Sequence, residues 1–132
     1  MTARDVYERS LALLGELDSD GDVQPDVAAF EKSAPELLST LLVMTDSVDA
    51  LMKGETRDPY GRLPQRVKSL DDELYVHPRL AAAALPLGLC FFLISEEDTR
   101  RGGTFYKLFE DELAEIRSAY KKGKRKKTVR VV

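Results

Sequence analysis

The acidic run after residue 15 contains the residue types that bind calcium in helix–loop–helix proteins. Glu16, Asp18 and Asp20 alternate with other residues, Gly21 stands at position six of the run and Val23 at position eight. A calcium loop also needs a bidentate glutamate at position twelve, where this chain has Val27. We therefore expect a solvated, turn-forming loop and no metal site.

Cys90 and His77 are the other residues whose types could do chemistry. Cys90 is the single cysteine, which excludes an intramolecular disulfide, and its charge-free surroundings predict a buried, unreactive thiol in an intracellular protein. His77 is the single histidine and precedes Pro78, so we interpret it as part of a turn that starts a helix. The sequence has no glycine-rich phosphate loop, no Cys/His metal spacing and no Gly-x-Ser-x-Gly motif. These patterns predict no catalytic, cofactor-binding or metal-binding residues.

The C-terminal segment, residues 121–132, differs in charge from the rest of the chain. Seven of the 20 basic residues and none of the 23 acidic ones lie there, which leaves a net charge of -10 on residues 1–120. Such a segment can neutralise nucleic-acid phosphates, dock on an acidic protein or remain a solvated tail, and its β-prone end, Thr128–Val132, can add as a strand to a neighbour. Its candidate partner-binding residues are Lys121, Lys122, Lys124, Arg125, Lys126, Lys127, Val129, Arg130 and Val131.

Two amphipathic helices are predicted in the first half of the chain. Helix 1 covers about Ala3 to Leu17, with Thr2 as its N-cap. Helix 2 covers about Val27 to Met52, and Pro35 inside it predicts a kink or a break at Ser33–Ala34. Its predicted core seam is heptad-like and contains Val27, Phe30, Ala34, Leu37, Leu41, Met44, Val48 and Leu51.

A segment without helical periodicity, from Lys53 to His77, separates these helices from two more. It contains several turn formers, a possible short strand at 66–70, and the arginines Arg57, Arg62 and Arg66, which we expect to contact acids of a neighbouring subunit. Helix 3 begins near Pro78, and its charge-free stretch from Leu80 to Ile94 predicts the buried centre of the fold. This stretch is too short to span a bilayer. Helix 4 is expected from about Asp98 or Thr99 to Tyr120.

Together these elements predict an all-α, four-helix bundle-like single domain over residues 1–120. A long loop joins helices 2 and 3, and residues 121–132 form an extended basic tail. The chain of 132 residues, 43% hydrophobic and 33% charged, has enough apolar residues for one core. The first residues lead directly into helix 1, so we expect no signal peptide.

Several short motifs resemble head–tail connector (adaptor, head-completion) proteins of tailed phages and of prophages in Gram-positive bacteria. The motifs are Ser69–Leu74, the stretch from Leu80 to Leu89 with its Ala84-Leu85-Pro86-Leu87-Gly88-Leu89 end, Glu96-Glu97-Asp98, and Phe105-Tyr106. The N-terminal helix, the acidic turn and the proline-containing second helix are also similar, so the resemblance covers roughly residues 3–120. Gly102-Gly103 departs from the alanine-rich start expected for helix 4.

The resemblance implies a structural, non-enzymatic role in virion assembly, without a cofactor. Such proteins form a ring below the portal protein, dock the next head-completion or tail protein, and let DNA pass through their channel without specific binding. The protein would assemble in the bacterial cytoplasm and reside in the virion, with no membrane partner. The alternative from another class is a small helical regulatory or nucleic-acid-binding protein that uses the basic tail. A sequence-specific DNA-binding protein would present a recognition helix with basic residues, and helices 2 and 3 show no such pattern.

The acidic run gives the first testable prediction. Because the twelfth-position carboxylate is absent, titration calorimetry with millimolar calcium should detect no heat of binding. A saturable signal that disappears in Asp20→Ala would show that the run is a calcium site after all.

Overall fold

Four α-helices make up most of the part of the chain that the structure describes. A computed structural model describes residues 1–15, 28–54 and 63–131, with side chains as far as Lys121. Its helices are α1 (Ala3–Leu14), α2 (Ala28–Lys53), α3 (Leu85–Ile94) and α4 (Thr99–Val131), with a π-helical turn at Leu80–Ala84 before α3. Within the described residues there is no β-strand, and the short strand expected at 66–70 does not form. The prediction of an all-α domain of four helices is confirmed.

Helix α1 begins as predicted and ends earlier. The Asp5 amide donates to Thr2 Oγ1 at 3.2 Å, and the Thr2 amide donates to Asp5 Oδ2 at 2.9 Å, which completes a capping box. These hydrogen bonds stabilise the carboxylate and lower the pKa of Asp5. The helix ends at Leu14, not Leu17, because Gly15 adopts φ 75° and donates its amide to the Ala12 carbonyl at 3.2 Å.

Helix α2 runs through Pro35 without a break, so the break that was one of the two expectations at Ser33–Ala34 does not occur, and the kink stays a prediction. The apolar packing of a 26-residue helix outweighs the one hydrogen bond that a proline removes. The predicted seam is only half right, because Met44 is 41% exposed and Leu37 and Leu51 are half-buried. The buried face instead follows Ala34, Leu38, Leu41, Leu42, Thr45, Val48, Asp49 and Met52.

Pro86 explains the π-helical turn that precedes α3. A proline has no N–H to donate to the carbonyl four residues earlier, here Ala82, and its ring crowds that carbonyl. The chain widens by one residue at this point, where the Leu85 amide donates to the Leu80 carbonyl. Arg9 of α1 donates its Nη1 to the Ala82 carbonyl at 3.2 Å. The irregular turn thereby becomes a contact between α1 and the central helix.

Gly88 lies where α2, α3 and α4 come close together. A Cβ placed on Gly88 would lie 2.6 Å from Leu41 Cδ2 of α2 and 3.0 Å from Phe109 Cε1 of α4. All three residues are fully or almost fully buried. The charge-free helix predicted at the centre of the fold is therefore confirmed, and its one glycine allows α2 and α4 to pack against it together.

Helix α4 begins at Thr99, as predicted, and continues past Tyr120, where it was expected to end. A Cβ on Gly102 would lie 2.9 Å from Ser95 Cα, so the glycine permits the tight approach of α4 to the end of α3. At the other end the backbone stays helical to Val131, whereas an extended tail was expected from residue 121. Lysine and arginine are good helix formers, and positive charge near a helix C-terminus is favourable, which accounts for this correction.

The packing at Gly88 predicts opposite effects for two glycine-to-alanine substitutions. Gly88→Ala should lower the free energy of unfolding by about 1–3 kcal/mol, because its Cβ meets side chains that cannot both withdraw. Gly103→Ala, whose Cβ meets nothing within 4 Å, should raise it by about 0.5–1 kcal/mol. Urea unfolding of both variants checks the pair, and equal stabilities would contradict the three-helix contact.

Candidate partner-binding surfaces

The basic residues predicted to bind a partner lie on the last part of α4. Lys121 is exposed, and the backbone at Lys122, Lys124, Arg125, Lys126, Lys127, Val129, Arg130 and Val131 is α-helical. The structure thus places these basic residues on one element, as the sequence suggested. That element is a helix and not a strand. Strand addition of Thr128–Val132 to a neighbour stays a prediction, and the backbone at 128–131 is α-helical in this structure.

The position of this basic end follows from contacts along the bundle. Gly88 places Leu41 of α2 level with Phe109 of α4, and His77 contacts Asp49 of α2 and Tyr120 of α4. The two helices therefore run side by side in the same direction. Since α2 ends at Lys53, twelve residues after Leu41, its end is level with Lys121. Helix α4 then continues for ten more residues, which is about 15 Å at 1.5 Å per residue.

The described part of the predicted loop, residues 63–77, is tightly attached to α1. The Ala3 and Arg4 amides, at the start of α1, donate to the carbonyls of Asp72 and Leu70 at 2.9 and 2.8 Å. The Leu74 amide donates to the Met1 carbonyl at 2.9 Å. These bonds satisfy helix N-terminal donors that have no partner within the helix. We call residues 63–77 the strap.

The strap is also fixed to α2 through two side chains. Ser39 Oγ accepts from the Val67 amide at 2.8 Å, and the buried carboxylate of Asp49 accepts from the His77 amide at 2.7 Å. Lys53 Nζ lies 3.1 Å from Asp49 Oδ2 and also donates to the Tyr75 carbonyl. The pattern of the sequence did not single out Asp49, although an aspartate within an otherwise apolar helical face is a signal for such an anchor.

Of the three loop arginines, the structure describes Arg66, while Arg57 and Arg62 lie outside the described residues. Arg66 is exposed, and its Nη2 lies 4.0 Å from Glu36 Oε2 of α2. One acid of α4, Glu112, already has a contact within the chain, because Arg79 Nε lies 3.5 Å from Glu112 Oε1. Arg66 is therefore available at the surface, and its expected intersubunit contact stays a prediction.

His77 has the structural position predicted for it. Its Nδ1 accepts from the Arg79 amide at 3.2 Å, its carbonyl accepts from the Ala81 amide at 3.1 Å, and its ring meets Tyr120 edge-on. These contacts organise the turn that leads into the central helix. The imidazole thus holds the start of one helix against the side of another.

Cys90 and Ser10 join α3 to α1 in the core. Cys90 Sγ donates to the Ser10 carbonyl at 3.3 Å, and Ser10 Oγ donates to the Pro86 carbonyl at 3.1 Å. Burial raises the pKa of the Cys90 thiol to about 12, because the thiolate would lose its hydration. Tyr7 of α1 is also buried, and burial raises the pKa of its hydroxyl to about 12.

Neither a metal cluster nor a membrane span is found where the structure can be described. The calcium-like run, 16–27, falls outside the described residues, and elsewhere no three His, Cys, Asp or Glu side chains group in a way that could hold a metal ion. No helix of the described part is both long and apolar enough to cross a bilayer.

Comparisons with known proteins give no relative for this chain. It matches no protein-family model, no curated protein and no solved structure.

The buried thiol predicts a loss of stability at alkaline pH. Burial raises the pKa of Cys90 from 9.0 to about 12, so its contribution is complete below pH 9 and is lost as the pH rises towards 12. At pH 10.5 the wild-type protein should have lost about 2 kcal/mol of unfolding free energy through this thiol.

Urea unfolding at pH 8 and pH 10.5 measures this loss, with Cys90→Ala as the control. The variant should lose about 2 kcal/mol less than the wild type between the two pH values, since titration of the surface lysines is common to both. Equal losses would contradict the burial of Cys90.

Proposed function

We propose that the protein is a structural head–tail connector subunit of a tailed phage or prophage and has no enzymatic activity. It forms a ring below the portal protein and docks the next head-completion or tail protein, while DNA passes through the ring without specific binding. It assembles in the bacterial cytoplasm and stays in the virion. The motifs at residues 69–74 and 80–89, which resemble connector proteins, support this proposal together with the four-helix domain.

The observation that carries the proposal is the length of α4. Its last ten residues extend past the level at which α2 ends, and the segment from Lys121 onward contains seven basic residues and no acid. A helix that leaves the domain in this way presents its charges to another molecule more readily than to its own body. Exposed ion pairs within the chain would contribute only about 0–1 kcal/mol each.

A rigid strap also suits a subunit of an assembly. Its carbonyls hold the start of α1, and Ser39 and Asp49 hold it against α2, so Tyr75 and Leu63 are presented at 68% and 87% exposure from an ordered backbone. Exposed apolar and aromatic side chains on a fixed scaffold lose little conformational entropy when they become buried in an interface.

The alternative, a nucleic-acid-binding protein, is favoured by the same basic end of α4. Seven positive charges within twelve residues can neutralise several phosphates, and the resulting affinity would fall steeply with salt. The two functions differ in the partner and not in the segment that they use.

Removal of residues 121–132 tests the proposal. Because Ile116 and the half-buried Tyr120 are the last core residues among those whose side chains the structure describes, the free energy of unfolding should change by no more than about 0.5 kcal/mol. Binding to a portal protein, measured by sedimentation, should weaken by about tenfold or more, which is a loss of about 1.4 kcal/mol. The intact protein's binding should also fall as salt rises.

Two other results would change the assignment. If the truncated protein binds the portal protein as tightly as the intact one, the basic end of α4 is not its docking segment. If truncation removes only DNA binding, measured on an unrelated duplex as a non-specific probe, the nucleic-acid alternative replaces the connector.

A further inference from the structure

An open apolar groove of about 460 Å³ lies between α1 and the start of the central helix. The π-helical turn shapes one wall, and the small side chains on both sides leave room for an incoming helix or chain. Leu13 is 48% exposed at its edge, and Leu87 is half-buried. The lining of the groove includes Arg9, Ala12, Leu13, Ala83, Pro86 and Leu87.

The groove continues into a polar depression of about 430 Å³ that shares Arg9 and Ala12 with it. This depression carries the exposed carboxylates of Asp5 and Glu8 together with the Arg9 guanidinium and the Met1 ammonium, and that ammonium lies 2.8 Å from Glu73 Oε1. Arg9 donates one hydrogen bond to the Ala82 carbonyl and keeps its charge, so the lining has two carboxylates and one cation besides the Met1 ammonium that Glu73 pairs. An occupant that fits both parts therefore combines apolar side chains with positive charge.

The C-terminal segment of this same chain has that composition. It contains seven basic residues, and its last four positions include Val129, Val131 and Val132. We propose that the basic end of α4 from one copy docks in the α1 groove of the next copy. This inference rests on the proposed ring, and the contact would join its neighbouring subunits.

A chain cannot place this segment in its own groove. The central helix and α4 are antiparallel, because Gly88 lies against Phe109 while Arg79 lies near Glu112 and Glu115. The groove residues 82–87 are therefore level with about residues 109–115 of α4. Lys121 already lies about 9 Å beyond that level, and the continuous helix leads farther away. The contact is therefore between two copies. It is head-to-tail, because the tail of one copy meets the groove of the next, and repeating it closes a ring when the rotation from copy to copy permits.

Two full-length variants test this contact by mixing. The groove variant carries Glu8→Lys and Leu13→Lys, both at exposed positions of α1, and keeps its own basic end. The tail variant carries Lys124→Gln, Arg125→Gln, Lys126→Gln and Lys127→Gln, and keeps its groove. Each should be monomeric alone by sedimentation equilibrium. Mixed, they should form a one-to-one heterodimer and nothing larger, because only one intact tail meets one intact groove.

The wild-type protein should associate further, and its association should weaken as salt rises. Val43→Lys, which places the same charge at a 61% exposed position of α2, serves as the matched control and should associate like the wild type. Failure of the mixture to form heterodimers would overturn the groove contact, and so would loss of association in Val43→Lys. Circular dichroism melting of every variant confirms that each is folded.

The outcome is separable from the connector function. If no heterodimer forms but a ring still assembles on a portal protein, the groove contact is wrong and the connector function stands. If the heterodimer forms and no portal protein binds, the contact between copies is upheld and the connector role falls.

Discussion

The missing N–H of Pro86 is the constraint on which much of the packing depends. A proline in the middle of a buried helix crowds the carbonyl four residues before it, and here the helix responds by widening into the π-helical turn at Leu80–Ala84. Arg9 and Ser10 of α1 then donate to the Ala82 and Pro86 carbonyls. A local defect in the central helix has become one of the polar attachments of its neighbour, beside the apolar contacts between the two helices.

The attachment of α1 is completed at its other end by the strap. Backbone carbonyls of the strap accept from the first amides of α1, and Asp49 and Ser39 of α2 fix the strap in turn. The polar groups thus form a sequence of contacts from α3 to α1, from α1 to the strap and from the strap to α2. The donors and acceptors named in it are paired, as buried polar groups in a small domain usually are, whereas the buried hydroxyl of Tyr7 on α1 has no hydrogen-bond partner among the described residues.

The sequence was sufficient for the helices but not for how they pack. Capping by Thr2 and the charge-free run before Ile94 predicted α1 and the central helix, because caps and burial are local properties. The face of α2 was half wrong, because a heptad count does not reveal that Met44 faces outward while Thr45 is buried. Burial there depends on where the other helices lie, and no periodicity contains that information.

For the candidate surfaces the same division holds. The basic residues after Tyr120 were evident from charge alone, yet their helical conformation was not, because β-prone valines and helix-forming lysines compete in one short segment. Asp49 and Arg9 escaped notice because their roles arise from backbone groups far away in the chain, at His77 and Ala82. Such contacts become visible only in three dimensions.

The single thiol makes the seam between α1 and α3 observable. With the pKa of Cys90 near 12, only about one thiol in 100,000 is ionised at pH 7, and the side chain is fully buried. A maleimide dye would react with a cysteine introduced at the surface and would leave Cys90 unmodified as long as the core stays packed. The rate at which Cys90 is slowly modified would then measure how often α1 and α3 separate. The native cysteine is thus a probe of local opening of the core.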